Sequence, residues 1–471
     1  MNLTRSSFKL FVSKVGGALV VFVGITIFAR ELSADQLGVF FLFQTLLYIL
    51  TIPADLGIRG GVEKRLSEGL DSGGLLASAI VLKTALLAIV TGGIVLARGA
   101  INGYVGTDIA GLLIVALVLW EVAELYIYTV RGELRVGETA LLEFGRQAVW
   151  IGLGAVLVFA GFGAYGVIYG LIGGAAVVSV WSYHRADTSV GRPSMGHARS
   201  LFDYSKYHFV SSIGGRVYEW MDVAVIGFFL TTSFVGVYEV AWQVTLLVLM
   251  VSYAIATTIF PQISQWNAGA ETERIESIVS RAIGVSLALS IPAFVGAAVF
   301  AEEILTVVFG AEYAIAGGVL VLLMGEKVFQ SANDVFWRSL NAIDQPRLAA
   351  RATVMTIAIN LVLNVALVPT HGIVGAAVAT TAAAVVNTLL HGIYLARFLE
   401  VRVPYRLVGL CIAGSALMGA VLAGVRSVVP VDSLPVLVAE IGLGVLFYAG
   451  FALVVPPVRR AIVTPGVDAL R

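Results

Sequence analysis

Arg216, Glu219 and Asp222 follow one another at steps of three inside the stretch Tyr204–Tyr238, YSKYHFVSSIGGRVYEWMDVAVIGFFLTTSFVGVY. Most of that stretch is apolar enough to cross a bilayer. A formal charge at a bilayer centre costs about 2.5–3.5 kcal/mol on insertion scales. Charges at this spacing share one helix face. That face must look onto other helices or onto a water-filled cavity. Two chemistries fit: an internal ion pair that locks helices together, or the polar wall of a transport path.

The same pattern recurs elsewhere. Lys327, Ser331, Asp334 and Arg338 form one helical stripe, and Glu326, Gln330, Asn333 and Trp337 form the stripe beside it. Glu121, Glu124 and Tyr128 share a face further upstream. Lys14 and Lys83 are single cations in apolar runs; Lys83, near a helix start, also reads as a snorkelling side chain. Asp55 and Arg59 stand four apart in PADLGIRGGVEKR, where Arg59 either joins the interior cations or snorkels to the interface. The candidate cavity cations are thus Lys14, Arg59, Arg216 and Lys327. Guanidinium binds phosphate through a planar fork and ammonium as a point charge, so such a set suits an anionic headgroup. The acids Glu219, Asp222, Glu326, Asp334, Glu121 and Glu124 either neutralise these cations when no ligand is bound or take a coupling proton or sodium ion. The residue types leave both roles open. No nucleophile, phosphate-loop or metal motif accompanies them, and the histidines are scattered, so neither an enzyme nor a cofactor is expected.

The elements that carry these residues follow from composition. Of 471 residues 59% are hydrophobic and 13% charged, with a mean hydropathy of +0.93. A soluble domain has about 25% charged residues. This is therefore an all-α polytopic membrane protein. With 30 basic and 30 acidic side chains, it has no net charge to drive nucleic-acid binding. The single cysteine, Cys411, cannot form an internal disulfide.

A spanning helix needs about 20 apolar residues. Fourteen such runs can be read: Phe8–Ala29, Gly38–Ile58, Leu75–Ala97, Ile109–Val130, Gln147–Phe162, Ala164–Trp181, Tyr207–Leu230, Val235–Phe260, Ala282–Phe300, Gly318–Leu340, Ala349–Val368, Ile373–Leu395, Tyr405–Val425 and Leu434–Val455. With the N-terminus in the cytoplasm, the external segments hold only Arg30, Arg98 and Arg426, and the remaining loop cations fall inside. That predicts both termini in the cytoplasm of a plasma-membrane protein.

Three pairs of segments repeat in order: LSADQLGVF (Leu32–Phe40) with LTTSFVGVY (Leu230–Tyr238), Arg131–Leu141 with Arg338–Leu348, and AYGVIYG (Ala164–Gly170) with THGIVGA (Thr370–Ala376). Their offsets are 198, 207 and 206 residues. They predict two repeated six-helix lobes of the same topology, over 1–185 and 199–396. Two further helices and a cytoplasmic tail occupy 397–471. Parallel repeats place substrate sites near the midplane between the halves.

Fourteen helices, the duplication, ADLGI (Ala54–Ile58), MDVAVIGFFL with VGVYEVA (Met221–Ala241) and FPQIS (Phe260–Ser264) together resemble one family. It is the multidrug/oligosaccharidyl-lipid/polysaccharide flippase superfamily, and within it the Wzx-like polysaccharide-biosynthesis branch. The resemblance implies a V-shaped cavity. It implies movement of a lipid-linked oligosaccharide, on a polyprenyl or dolichyl phosphate or pyrophosphate, from the cytoplasmic to the external leaflet by alternating access. Lys14, Arg59 and Arg216 are counterparts by region of cations that serve the phosphate in lipid II flippases. The expected partners are the lipid-linked glycan, membrane lipids, glycosyltransferases and a coupling H+ or Na+, around a monomer. The alternative is a cation-coupled exporter of drugs or metabolites.

Overall fold

The computed structural model describes residues 3–69, 71–269 and 271–461, and Lys14 and Arg216 fall outside the residues whose side chains it describes. Among the described residues there is no strand. The chain forms α1 (Leu3–Glu31), α2 (Ala34–Asp55), α3 (Ile58–Ser67), α4 (Ser72–Leu96), α5 (Arg98–Val105), α6 (Ala110–Gly132), α7 (Val136–Leu157) and α8 (Gly163–Arg185). It continues with α9 (Met195–Phe229), α10 (Thr232–Ala268), α11 (Thr272–Glu303), α12 (Gly317–Ala342), α13 (Pro346–Leu395), α14 (Tyr405–Arg426) and α15 (Leu434–Val454). Every one of the fourteen apolar runs lies in helix or in the π-turn Val158–Phe162 that prolongs α7, apart from a residue or two at run ends. α13 holds two of them. Short α3 and α5 carry no spanning run. Leu96, Leu446 and Ile89 are 90%, 72% and 72% exposed, a burden in water and a match to lipid.

The repeat is written in the backbone. The helical stretches 136–185 and 346–395 are each 50 residues long. Each is preceded by a left-handed residue, Leu134 (φ 61°) and Asp344 (φ 60°). Around them the same hydrogen bonds form: Arg135 N to Val130 O (3.2 Å) and Gln345 N to Leu340 O (2.9 Å). Each stretch is broken by a glycine in one unusual conformation, Gly163 (φ 55°, ψ −138°) and Gly372 (φ 59°, ψ −143°). No other residue type adopts that conformation without strain. The offsets are 344 − 134 = 210 and 372 − 163 = 209 residues. The register read from residue identities, 206 and 207, was therefore about three residues short.

Packing divides the chain into two compact units, Met1–Glu239 and Val240–Arg471, the division falling inside α10. In the first unit, α7 and α8 form a hairpin against α1 and α6, and α3 packs on α6, α4 and α9. Ile58, Val62, Leu66, Leu75, Leu76, Leu125 and Leu201 form an apolar core there. In the second unit, α12 lies between α11 and α13, and α11 also supports α14 and α15.

Candidate functional site

The polar heart of the first unit begins where α2 ends. Leu56 (φ 46°) and Gly57 (φ 82°) both turn left-handed, stop α2 and start α3 at once. The Asp55 carboxylate caps that turn, accepting the amides of Gly57 (3.2 Å) and Arg59 (3.3 Å). Lys83, from α4, donates to Asp55 Oδ1 at 2.7 Å and to Glu121 Oε2, from α6, at 2.6 Å. Arg59 lies 3.4 Å from Asp55 on one side and donates to Glu124 Oε2 at 3.2 Å on the other. The other oxygen of Glu124 accepts from Arg146 Nη1, on α7, at 2.6 Å. The guanidinium of Arg146 sits over the Trp120 ring at 4.0 Å, and that of Arg59 lies 5.3 Å from the Tyr128 ring centre.

The result is a chain of alternating sign: Glu121, Lys83, Asp55, Arg59, Glu124, Arg146. Its six described residues, three acids and three bases, balance one another in charge. Side-chain exposure rises along it without a break: 0%, 4%, 5%, 10%, 11% and 16%. The Glu121 end is sealed, and the Arg146 end is the least buried. Removing one partner of an ion pair this deep leaves the other uncompensated, at about 3–5 kcal/mol unless another group of the same charge takes its place.

The second unit holds a different arrangement. Lys327 is fully buried on α12. Its Nζ is 3.7 Å from the Trp242 ring centre, 3.0 Å from Gln330 Oε1 and 2.7 Å from Glu326 Oε2. Ser290, on α11, meets Ser331 at 3.0 Å beside it. The two polar stripes read on this helix are not one open face: Glu326, Lys327 and Ser331 are buried, Asp334 is half-buried and Trp337 is 41% exposed. Asn360, Asn364 and Thr380 add hydrogen bonds within α13.

The candidate residues divide between the two units. Arg59, Glu121 and Glu124 meet in the first unit. Asp222 is buried on α9 and accepts from Tyr238 Oη at 2.8 Å, while neighbouring Glu219 is exposed. Lys327 and Glu326 pair in the second unit, with Asp334 further along α12. The side chains of Lys14 and Arg216 lie outside the described residues. Two readings change. Arg59 (8% exposed) and Lys83 (3% exposed) do not snorkel; both are buried between acids. Asp55, Lys83 and Arg146 are members of the network that the residue spacing alone did not select. One signal for Lys83 was present: it is the single charge in α4.

Broken helices and buried charges inside apolar helices recur in membrane transporters. The fold is similar to a solved lipid II flippase MurJ in an inward closed conformation, with a TM-score of 0.79 at 15% identity, covering 96% of this chain and 98% of that one. It also resembles an inward-facing multidrug resistance MATE family transporter of the MOP superfamily, with a TM-score of 0.63 at 16% identity, covering 81% of this chain and 95% of that one.

The sequence carries the assignment further. Residues 27–316 match the polysaccharide biosynthesis protein family, and 220–441 match the lipid II flippase MurJ family. The chain is 50% identical over 460 residues to the probable low-salt glycan biosynthesis flippase Agl15 of Haloferax volcanii, covering 98% of each. It is 30% identical over 450 residues to the probable flippase AglR of the same organism, covering 92% of each. The chain belongs to the polysaccharide biosynthesis protein family of membrane flippases, and is a transporter, not an enzyme.

Proposed function

We propose that this protein carries a lipid-linked oligosaccharide from the cytoplasmic to the external leaflet by alternating access, for surface polysaccharide or glycoprotein assembly. The observation that carries the reading is the end-to-end similarity to a glycan biosynthesis flippase at 50% identity. The buried cations supply fitting chemistry, because a polyprenyl or dolichyl phosphate needs a positive, partly dehydrated environment to leave the interface. Lys14, Arg59, Arg216 and Lys327 are the proposed substrate cations. The acids Glu219, Asp222, Glu326 and Asp334 are the proposed coupling groups, for H+ or Na+.

The same reading places both termini in the cytoplasm of the cell membrane. It assigns repeated lobes to 1–185 and 199–396 and an accessory pair to 397–471. It expects a monomer that works with glycosyltransferases.

The test is a deletion strain complemented with wild-type or Arg59→Ala protein, scored for surface glycan and for lipid-linked glycan trapped in the inner leaflet. The expected result is accumulation of the lipid-linked precursor in the deletion, relieved by wild type and not by Arg59→Ala at equal protein level. Unaltered glycan with new drug sensitivity would mark an exporter instead.

A further inference from the structure

Glu124 is bound as an anionic ligand would be. Among the described residues, its two carboxylate oxygens meet two different guanidinium groups, Arg59 at 3.2 Å and Arg146 at 2.6 Å. Both arginines are held in place by other means. Arg59 is tied to Asp55 at 3.4 Å, and its backbone amide bonds the same carboxylate. Arg146 rests on the Trp120 indole. The cradle would therefore persist if the carboxylate left. Asp55 and Glu121 could not leave in the same way: Asp55 caps α3 and holds Lys83, and Glu121 is sealed against Lys83. Glu124 is also the most exposed of the three acids, with side-chain exposure of 11% against 5% and 0%.

Charge makes the same point. The six described residues are neutral with Glu124 in place and carry one net positive charge, at the Arg146 end, once Glu124 swings out or is protonated. A phosphate, like a carboxylate, can give one acceptor oxygen to each of two guanidinium groups, and it has oxygens to spare.

We propose that Glu124 is a built-in stand-in for the substrate's phosphate, filling the Arg59–Arg146 cradle at rest and giving it up to the phosphate or diphosphate of the incoming lipid. This rests on the flippase reading for the identity of the lipid, not for the existence of the anion site. It makes Arg146 a binding residue and gives Glu124 a function that binding residues do not have: it weakens the grip, so the headgroup is released on the far side.

The experiment measures binding of farnesyl pyrophosphate, inorganic pyrophosphate and farnesol to full-length protein in nanodiscs. Glu124→Gln keeps the side chain's shape and removes the competing charge. It is expected to bind farnesyl pyrophosphate about tenfold or more tightly than wild type, with farnesol binding unchanged. Glu124→Asp, which keeps the charge but draws it back from the arginines, is expected in between, and serves alone if Glu124→Gln does not fold. Glu124→Gln/Arg146→Gln, which restores neutrality, is expected to lose the gain. Equal tightening for inorganic pyrophosphate supports the site and assigns recognition to the phosphates alone. Equal or weaker binding by folded Glu124→Gln or Glu124→Asp overturns the proposal. Tighter binding in Glu124→Gln, with no glycan defect in the deletion strain, keeps the anion site and sinks the flippase reading.

Discussion

The Lys83 ammonium bridges Asp55 and Glu121, at 2.7 and 2.6 Å, and so joins the end of α2 to the middle of α6 through one atom of α4. Two carboxylates this deep tolerate each other only with the cation between them. Lys83→Met should therefore destabilise the protein by about 3–5 kcal/mol, the cost of stranding a buried charge. Lys83→Met/Glu121→Gln removes one charge of each sign and should recover a large part of that loss. Thermal unfolding in detergent, followed by tryptophan fluorescence, measures both. Full stability in the single variant would show that the bridge does not hold these helices.

Leu134 adopts a left-handed backbone at φ 61° and is 54% exposed. A β-carbon in that region costs about 1 kcal/mol or more, and little burial offsets it here. Leu134→Gly should leave stability unchanged or raise it by up to about 1 kcal/mol, despite glycine's greater freedom in the unfolded chain. At the repeated position, Asp344→Gly should gain less, because aspartate tolerates this conformation better than leucine. Melting temperatures of the two variants, compared side by side, decide it.

The apolar runs were readable because a bilayer enforces length and composition on each helix separately. The register of the repeat was not, because what repeats is a dihedral at Leu134 and Asp344, two residues with nothing in common as letters. Residue identities start the fifth apolar run at Gln147, which leaves Arg146 among the loop cations. The helix begins at Val136, ten residues before Arg146, so Arg146 sits about 15 Å inside it. Lys83 found its partners 28 and 38 residues away in sequence, through tertiary packing that no local pattern encodes. Glu121 and Glu124, by contrast, share a face at i, i+3, and two acids inside a membrane helix call for buried cations.

Gly38 and Gly236 face each other reciprocally. A methyl added at Gly38 would overlap the Thr232 carbonyl, and one at Gly236 would overlap the Ala34 carbonyl. Beside them Thr232 donates to Asp35. The starts of α2 and α10, which carry the matching segments LSADQLGVF and LTTSFVGVY, thus meet backbone to backbone. Gly38→Ala and Gly236→Ala should each force them apart and cost about 1–3 kcal/mol, as overpacking does. A cysteine pair at Asp35 and Thr232 should cross-link readily in the wild-type background and poorly in either alanine variant. Equal cross-linking in all three would mean the backbones have room to spare.

Asp108 closes the connector between α5 and α6. Its carboxylate accepts from Arg98 Nη2 at 2.7 Å and Asn102 Nδ2 at 2.8 Å, and Asn102 Oδ1 in turn accepts the amides of Ile109 and Ala110, each at 3.0 Å. The hydrogen bond from Arg98, followed by that from Asn102, holds the Asp108 carboxyl below the usual carboxylate range. A lowered value in the folded state means that the unfolded connector takes up the proton first. The contribution is therefore complete above the unfolded value of about 3.9 and is lost as pH falls through the folded one. Protection of the Ile109 and Ala110 amides from hydrogen exchange, corrected for intrinsic rates, should stay level from about pH 7 to 5 and fall below about pH 4. Asp108→Asn should flatten that profile, and Asn102→Ala should lower protection at every pH by removing the cap itself, a loss of about 1 kcal/mol. An acid fall that persists unchanged in Asp108→Asn would place the titrating group elsewhere.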